Sequence, residues 1–568
     1  MRPMPQRTAS WKHRLPFLQW PRPDRALWHS ETFAGLSVGL MVIPQGVAYA
    51  ALAGMPLITG IYASLLPALV AVLFSASTRL SVGPTALTAM LVSASLAGMA
   101  TPASAEWVHL AVWLSLLSGL LQIVLGFARF GWLLNLVSSP VLTAFTQGAA
   151  VLIISSQLPA MLGLTQGWGS LLRPSTIDVA SLLFGLGSLA VLLLTKRFKP
   201  TFPTVLVVVV GAAGLSWGLR LEAQGLAVVG ALPQGLPALY LPHGLDWDSF
   251  KQLLLPTLVI TLVSFLETAS SAKVDNERQG QRWDQDQDLI GQGLGKMASA
   301  FCGAFPTSSS FSRSALNLYA GAQTAWATVI SVVVILLALL LFTPVLHHVP
   351  QSVLAAIVVA AVMGLIKPRA FVRLFKINRV EGATALLTFG ITLASAPRLY
   401  WGVLAGVVLG LSHFLHTRLH PRIIEVGLHP DGSLRDRHLW TLPPLAQHLY
   451  ALRMDAALDF ATASGFERAI TDHLSQHPTV RHVCLFAQPI NRIDVTGVET
   501  FAQVRRQLSA RGITLHISGI KLPVESALRR AGELPEDVLL KLYRTDAEAL
   551  SALKQLDPLP ADMAAAAI

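Results

Sequence analysis

Long apolar runs recur along the chain up to about residue 420, and short polar stretches separate them. A bilayer-spanning helix needs about 20 mostly apolar residues, and eleven runs meet this requirement. They lie near 33–52, 55–77, 107–128, 134–160, 178–195, 203–219, 253–272, 324–345, 352–366, 381–396 and 399–416. Three more, near 82–98, 288–304 and 309–320, are shorter or broken by Gly, Pro and Ser. The pattern predicts an α-helical membrane protein with fourteen transmembrane segments.

Composition supports this class. Hydrophobic residues make up 53% of the chain and charged residues 13%, whereas an average soluble domain carries about 25% charged residues. This excludes an ordinary soluble enzyme and a disordered chain. The two cysteines, Cys302 and Cys484, lie far apart without a metal-ligand spacing around them. A disulfide framework and a structural zinc site are therefore not expected, and no cofactor or bound metal is predicted.

The charged residues divide the chain into two parts. From Arg437 to Ile568 there are 14 Lys+Arg and 14 Asp+Glu in 132 residues, so the net charge there is zero. The remaining 436 residues hold the other 45 of the 73 charges and the whole net charge of +11. This division predicts a membrane domain with basic edges, followed by a soluble domain. Because the basic residues lie between apolar runs, nucleic-acid binding is not expected.

The basic residues also indicate orientation. The first 30 residues contain six Lys or Arg and one acid, Asp24, and further basic clusters follow the fourth, sixth, eighth and twelfth segments. The loops 161–177 and 220–250 are poor in Lys and Arg. The positive-inside rule then places both termini in the cytoplasm, and we predict an inner-membrane protein. The first apolar run is a full span without an obvious cleavage site, so no cleavable signal peptide is expected.

Two interrupted segments share a sequence pattern. Residues 80–90 and 303–313 each show an extended apolar approach, then Pro84-Thr85 or Pro306-Thr307, then small residues typical of a helix start. Pro suits the first helical turn, and Thr or Ser caps it. They are the third and tenth segments, and a repeat of seven spans must be inverted across the membrane. Broken helices at matching places in inverted halves indicate a transport site.

Two such helices would point their N-termini at each other near the middle of the membrane. Their free N–H groups and positive dipole ends would form an anion site. The residues expected there are Pro84, Thr85, Ala86, Thr307, Ser310, Phe311 and Ser312. In the alternative interpretation the Gly-Pro and Phe-Pro pairs merely kink ordinary spans, but the match between the two halves favours the site.

Polar side chains in neighbouring spans extend this prediction. Gln45, followed by Tyr49, lies in the middle of the first segment, and Glu267 lies in the eighth. An ionised side chain at a helix centre costs about 2.5–3.5 kcal/mol, which favours a polar cavity, a partner or a bound proton. The alternatives are a helix–helix hydrogen bond for Gln45 and an interfacial position for Glu267 near Lys273.

Arg313 lies in a serine-rich run that is strongly polar for a membrane segment. Its forked donors suit an anion, and this interpretation is favoured over that of a loop residue obeying the positive-inside rule.

Other motifs do not support a further chemistry. The run Gly291–Met297 is similar to a phosphate-binding loop, but it lacks the first Gly and the Ser or Thr after Lys296, so ATP use is not expected. His347-His348 lies in an outer loop without further ligands and is predicted to be solvated surface. No nucleophile motif such as Gly-x-Ser-x-Gly is present, so an enzyme is the least favoured class.

The C-terminal part alternates between strand-like and helix-like patterns. Strands are predicted at 447–455, 481–487, 513–519 and more weakly 538–543, and helices at 461–475, 497–510, 522–532 and 546–556. This alternation predicts an α/β domain. Thr496, in Asp494-Val495-Thr496-Gly497, either caps a helix or belongs to a regulatory loop. The predicted organisation is a cytoplasmic segment 1–30, a transmembrane domain 31–418, a linker 419–444, the α/β domain 445–556 and a tail 557–568.

These motifs together resemble the sulfate permeases of the SulP family. The resemblance rests on Pro44-Gln45-Gly46-Val47-Ala48-Tyr49-Ala50, Ser81-Val82-Gly83-Pro84, Phe265-Leu266-Glu267 and Phe311-Ser312-Arg313-Ser314-Ala315-Leu316-Asn317. The C-terminal domain resembles the STAS domain of these transporters, a relative of anti-sigma-factor antagonists. The resemblance covers about 30–555.

The resemblance implies a 7+7 inverted repeat like that of uracil permeases. Segments 1–4 and 8–11 would form a mobile core, and segments 5–7 and 12–14 a gate. The anion would lie between the third and tenth segments, in contact with Ser312 and Arg313, and Glu267 would carry the coupling proton. Family members usually form homodimers. Antagonist relatives often have Asp-Ser-Ser-Gly where this chain has 494–497, which weakens the case for phosphorylation of Thr496.

We therefore predict a secondary active anion transporter. Among the possible reactions we favour sulfate–proton symport by an elevator-type movement. Bicarbonate–sodium and C4-dicarboxylate–proton symport remain alternatives, because cavity size and sodium ligands are not visible in a linear sequence. A membrane-anchored STAS sensor is the alternative from another class. The presence of Glu267, Arg313 and both Pro-Thr breaks argues against it.

Overall fold

The computed structural model describes residues 15–164, 168, 177–198, 202–233, 235–341, 343–535 and 537–556. The chain divides into two compact units, Met1–Gly410 and Leu411–Ile568. The predicted tail 557–568 lies outside the described residues, as do residues 1–14 of the predicted N-terminal segment and most of the predicted outer loop 161–177.

The first unit is built from helices. They are α1 (Arg25–Leu52), α2 (Thr59–Tyr62), α3 (Leu66–Phe74), α4 (Ala86–Leu96), α5 (Ala105–Phe127), α6 (Ser139–Met161), α7 (Val179–Phe198), α8 (Thr204–Gly218), α9 (Trp247–Gln279), α10 (Gln285–Phe301), α11 (Phe311–Tyr319), α12 (Trp326–Leu341), α13 (Thr343–His347), α14 (Gln351–Met363), α15 (Pro368–Ile377), α16 (Arg379–Ala394) and α17 (Tyr400–Leu419), which continues into the second unit. Short 3-10 helices lie at Pro16–Gln19, Gly131–Leu136 and Leu221–Gln224. Within the described ranges, six helices are long and apolar enough to cross a membrane, and five further apolar helices are shorter. The α-helical membrane class is as predicted, and the fourteen-segment count stays a prediction.

Small residues allow the helices of this unit to approach closely, as is common between membrane helices. A Cβ on Gly293 of α10 would lie 2.6 Å from the carbonyl oxygen of Gly119 of α5. A Cβ on Gly35 of α1 would lie 2.6 Å from the carbonyl oxygen of Ala327 of α12. These contacts hold α10 against α5 and α1 against α12, and both pairs flank the interrupted segments.

The two interrupted segments meet as a short antiparallel pair of strands. In this pair β1 (Val82–Gly83) lies beside β2 (Ser308–Ser309), with Val82 opposite Ser309 and Gly83 opposite Ser308. The helix α4 follows β1, and α11 follows β2. The backbone N–H of Ser310 donates to the carbonyl of Ser81 at 3.0 Å. Residues 229 positions apart in the sequence are thereby joined next to both helix starts.

The two helix starts are capped by different residue types. Thr85 caps α4, since its side chain accepts from the backbone of Thr88 in a reciprocal capping box. Ser310 caps α11, accepting from the backbone of Arg313. Thr307 caps no helix; it is buried, and its Oγ1 has no partner among the described residues.

The prediction that the two Pro-Thr pairs are equivalent is therefore wrong, because the residue that caps the second helix lies three positions after Thr307. By capping, Ser310 takes the place that Thr85 has in the first half. The physical reason is the pairing with β1, which keeps 308–309 extended and prevents α11 from beginning at Thr307.

The second unit is an α/β domain with a six-stranded sheet in the order β4-β3-β5-β6-β7-β8. Its elements are β3 (Ile423–Leu428), β4 (Leu434–Asp436), β5 (Leu449–Met454), α18 (Ala463–Gln476), β6 (His482–Phe486), α19 (Val495–Ala510), β7 (Thr514–Ser518), α20 (Leu522–Arg530), β8 (Leu540–Tyr543) and α21 (Asp546–Leu556). The strands β5 to β8 are parallel. Along β6, Val483 and Leu485 pack in a core with α18, α19 and α20, whereas Cys484 and Phe486 pack in a second core with α21. The sheet is thus covered on both faces.

The predicted linker 419–444 differs from the structure. It contains β3 and β4, and β3 pairs antiparallel with β5, with Ile423 opposite Met454. β4 has three residues, two of them charged, which conceals it in the sequence. β3 is mostly apolar, but it lies outside the strand–helix alternation of residues 445–556 and was therefore assigned to the linker. β3 bonds to the edge of β5, and β4 bonds to β3.

Thr496 does not cap the helix α19. The helix begins at Val495, and the cap is Asp494, whose Oδ1 accepts from the backbone N–H of Gly497 at 2.8 Å. The other carboxylate oxygen of Asp494 accepts from the backbone N–H of Phe460 at 3.0 Å. Thr496 is exposed in the first turn, and its phosphorylation stays a prediction.

Candidate functional site

Arg313 lies beside the paired strands β1 and β2, at the place where α4 and α11 begin. We call this place the crossing. The side chain of Arg313 is fully buried. Its Nε donates to the hydroxyl of Ser81 at 3.2 Å, and its Nη1 donates to the carbonyl of Pro84 at 2.8 Å. Its Nη2 has no hydrogen-bond partner among the described residues. A buried donor without a partner costs about 1–3 kcal/mol, and more when it is charged. The Nη2 of Arg313 can therefore donate a hydrogen bond to a further acceptor.

Gly83 makes room for this guanidinium. Its φ is +156°, and a Cβ there would lie 3.3 Å from Nη2 of Arg313. Glycine adopts such a backbone conformation without the steric cost of a side chain. A small residue in β1 is thus the reason that the forked end of Arg313 fits beside the first half-helix.

Glu267 lies on α9, on the other side of the start of α4. The hydroxyl of Thr85 donates to its Oε2 at 3.0 Å. Thr85 also caps α4, so the carboxyl group is tied to a helix start, where the dipole favours negative charge. Among the described residues, Glu267 and Arg313 form no ion pair within 4.0 Å, although they interact electrostatically. A cation and a titratable acid therefore lie at the same crossing without forming an ion pair.

The other residues predicted at the site lie in three different surroundings. Pro84, Ala86 and Tyr49 are buried around the crossing. Gln45 and Ser312 instead line a cavity of about 170 Å³. Phe311 is 55% exposed, so its ring is not buried at the crossing.

The cavity beside Gln45 lies between two sets of helices. Gln45 of α1 and Ser312 of α11 form one wall, and Leu192 of α7, Thr204 of α8 and Ile357 of α14 lie opposite. The Oε1 of Gln45 is buried without a partner among the described residues. Arg313 and Glu267 do not line this cavity. It therefore reaches the outer residues of the predicted site and stops short of the crossing.

Some buried acids elsewhere in this unit have complete structural explanations. Glu31 accepts from the backbone N–H groups of Gln323, Thr324 and Ala327 at 2.8–2.9 Å and so ties α1 to the start of α12. The carboxylate of Asp275 pairs with Arg79. Glu267 differs from these acids because its described partners are the hydroxyl groups of Thr85 and Ser308, with no backbone N–H group or ion pair among them.

The sequence analysis missed Lys296, which is fully buried on α10. Its Nζ donates to the hydroxyl of Ser264, one helical turn before Glu267 on α9. The only signal in the sequence was a cation inside an apolar, glycine-rich segment, which was considered solely as a failed phosphate loop.

The interpretation of His347-His348 as a surface without further ligands is wrong. Glu222, from the 3-10 helix after α8, contacts both imidazoles: its Oε1 lies 3.2 Å from Nε2 of His347, and its Oε2 lies 3.5 Å from Nδ1 of His348. A separation of 125 residues hid this partner from the sequence analysis.

Comparison with known protein families gives two matches along the chain. The model of the sulfate permease family matches residues 29–388, and that of the STAS domain matches residues 444–549. The chain belongs to the sulfate permease family. This family consists of transporters, so the prediction that the chain is not an enzyme is confirmed.

Curated relatives resemble this sulfate permease over most of its length. "Probable sulfate transporter 4.2" of Arabidopsis thaliana is 32% identical over 558 residues, covering 91% of this chain and 80% of the relative. "Probable sulfate transporter Rv1739c" of Mycobacterium tuberculosis is 30% identical over 527 residues, covering 91% and 94%.

Solved structures share the fold of this sulfate permease. Murine Slc26a9 in its inward-facing state has a TM-score of 0.85 at 19% identity and covers 98% of this chain and 96% of its own. The transmembrane domain of the cyanobacterial bicarbonate transporter BicA has a TM-score of 0.58 at 20% identity and covers 69% and 99%. At these identities the likeness shows the fold alone, a helical membrane domain followed by a STAS domain.

Proposed function

We propose that this protein is a secondary active transporter that carries sulfate together with a proton. The observation that carries the proposal is the crossing of β1 and β2, where Arg313 and Glu267 lie beside the starts of two half-helices. The curated relatives named as sulfate transporters support the choice of an inorganic anion.

The chemistry of the crossing suits a dianion. Backbone N–H groups and positive dipole ends at the starts of α4 and α11 favour negative charge. Arg313 adds a permanent positive charge with a free Nη2 donor. A bound sulfate next to an ionised Glu267 would meet repulsion, so binding of the anion favours binding of a proton to this carboxyl. Sulfate and proton would therefore occupy the site together.

The cavity supports an elevator-type movement of this site. It is lined by α1 and α11, which belong to the proposed core, and by α7, α8 and α14, which belong to the proposed gate. Sliding of one set past the other would carry Arg313 and Glu267 between the two sides of the membrane. We further propose an inner-membrane homodimer with both termini in the cytoplasm, on the basis of the family and of the distribution of basic residues.

The proposed function is tested by uptake of labelled sulfate into proteoliposomes that contain the purified protein. We expect an acidic exterior to raise the initial rate several-fold, and unlabelled sulfate to compete better than bicarbonate or succinate. Uptake that needs sodium, or that prefers bicarbonate or succinate, would contradict sulfate–proton symport and keep the anion site. Absence of flux for every anion would favour the STAS sensor.

Replacing Gly83 by Ala tests the geometry beside Arg313. The new Cβ would lie 3.3 Å from Nη2 of Arg313 in a backbone conformation that side chains rarely adopt. We expect about a tenfold loss of sulfate uptake at subsaturating sulfate, corresponding to about 1.4 kcal/mol. The control is Gly390→Ala on α16, where a Cβ meets nothing within 4 Å. Equal uptake by Gly83→Ala and the control would show that the guanidinium does not need this space.

A further inference from the structure

Lys296 is a buried cation whose described hydrogen bonding is incomplete. It is 0% exposed, and its Nζ donates to the hydroxyl of Ser264. That hydroxyl is already in use, because it accepts from Nε2 of Gln122 at 3.1 Å and donates to the carbonyl of Thr261 at 3.2 Å. In the described part of the chain, no carboxylate lies within 4.0 Å of Nζ. The charged form of this amine costs several kcal/mol in such a place, so a negative partner nearby would favour it.

The same helix face connects Lys296 to the proposed anion site. Ser264 and Glu267 lie three residues apart on α9, so their side chains project from one face. Lys296 and Glu267 interact electrostatically. The hydroxyl of Ser308, in β2, donates to the carbonyl of Ser264 at 3.1 Å. Lys296 thus lies behind the crossing, and Arg313 lies within it.

We propose that Lys296 is a specificity-determining residue that fits the site to a divalent anion; this inference rests on the proposed sulfate–proton symport. With Glu267 protonated, Arg313 and Lys296 together carry +2, which balances a sulfate dianion. Without Lys296 the loaded site would hold one unbalanced negative charge in a buried place. A monovalent anion is balanced by Arg313 alone. Lys296 therefore acts on the choice of anion through charge, at a distance from the bound ion.

The test compares Lys296→Gln and Lys296→Met with wild type in proteoliposomes. Gln keeps a donor for Ser264 and Met keeps the length, and neither carries charge. We expect the KM for sulfate to rise at least tenfold in both variants and competition by chloride, relative to unlabelled sulfate, to strengthen. Replacing an unpaired buried charge by a neutral side chain is often neutral or stabilising, so the midpoint of thermal unfolding should not fall. The matched control is Lys273→Met, an exposed lysine on α9.

The outcomes separate this inference from the proposed function. Sulfate uptake by wild type with an unchanged sulfate KM and unchanged chloride competition in both variants would overturn the role of Lys296 alone. A wild type that transports chloride or another monovalent anion and not sulfate would overturn both. A loss of sulfate uptake that comes with a lower unfolding midpoint in both variants would make Lys296 a packing residue and contradict the proposal.

An independent observation concerns Glu222, His347 and His348. One ligand atom from each lies within 4.8 Å of the others. A tetrahedral zinc ion with bonds of about 2.0–2.1 Å holds its ligand atoms about 3.3 Å apart. Each imidazole lies near a different oxygen of Glu222, at 3.2 and 3.5 Å, so a small movement of the carboxylate would bring one of its oxygens to this spacing from both rings. All three side chains are partly exposed to solvent, so an ion can reach them.

The backbone holds these three residues in place. The N–H of Gly230 donates to the carbonyl of His347 at 3.1 Å, and the N–H of Val229 donates to that of Val349 at 2.9 Å. These bonds hold the segment that follows Glu222 against the segment that contains the two histidines. We infer that Glu222 and the two histidines form a binding site for a zinc-type divalent cation, which would clamp the connection after α8 to the end of α13.

Isothermal titration of the purified, untagged full-length protein with Zn²⁺ tests this site. We expect one binding event that weakens at least tenfold in Glu222→Gln and in His347→Gln, and no binding of Mg²⁺, which prefers oxygen ligands. The control is Glu106→Gln, an exposed acid in the first turn of α5. Zinc binding that is unchanged in both variants would overturn the inference, and so would the absence of binding by wild type.

Discussion

Replacing Glu267 by Gln removes the stimulation of sulfate uptake by an inward proton gradient. The amide resembles a protonated carboxyl group in size and can still accept from Thr85, which bonds the carboxylate at 3.0 Å, but it cannot release a proton. We expect the gradient-driven rate to fall several-fold, to the rate without a gradient, while sulfate still binds. The measurement is the initial rate of labelled sulfate uptake at equal and at lowered external pH.

The matched control for this variant is Glu31→Gln, which changes another buried acid. Glu31 accepts three backbone N–H bonds at the start of α12, and its loss should lower stability by about 1–3 kcal/mol. Proton stimulation should persist in the protein that remains folded. A Glu267→Gln variant that still responds to the proton gradient like wild type would show that another group carries the proton.

Replacing Arg313 by Met strongly weakens sulfate binding. Arg313 is fully buried, and its Nη2 has no hydrogen-bond partner among the described residues. A bound anion would supply the missing acceptor for Nη2. A hydrogen bond to a charged group contributes about 1.5–3 kcal/mol, and the loss of the charge next to a dianion adds to this. We expect sulfate affinity to fall about 100-fold, measured by equilibrium binding of labelled sulfate.

Arg313→Lys distinguishes charge from geometry in the same experiment. A lysine keeps the positive charge but cannot donate to Pro84 and to an anion through a fixed fork. We expect intermediate affinity, weaker than wild type and stronger than Arg313→Met. If both variants bind sulfate as wild type does, Arg313 serves only to hold β1 against β2 through Ser81 and Pro84.

Local patterns predicted the elements of the candidate site better than their register. The Pro-Thr pairs at 84–85 and 306–307 correctly indicated two interrupted segments, because Pro and hydroxyl residues act within a single turn. They misplaced the second helix start, because Ser308 and Ser309 pair with residues more than 200 positions earlier. In the soluble domain the parallel strands were predicted from alternation, whereas β3 and β4 were missed because a partner strand, and not composition, makes them strands.

The linear sequence was sufficient to predict the membrane class, the α/β domain, the family and the importance of Glu267 and Arg313. These predictions rest on local composition and short motifs, since burial in lipid excludes most charge and the exceptions are visible. The groups that lie together became known from the three-dimensional contacts. Arg313 donates hydrogen bonds to Ser81 and Pro84, and Lys296 donates one to Ser264. The carboxylate of Glu222 contacts the imidazoles of His347 and His348. Such contacts join residues 32 to 232 positions apart, and hydrogen bonds and charges act over a few ångströms of space whatever the distance along the chain.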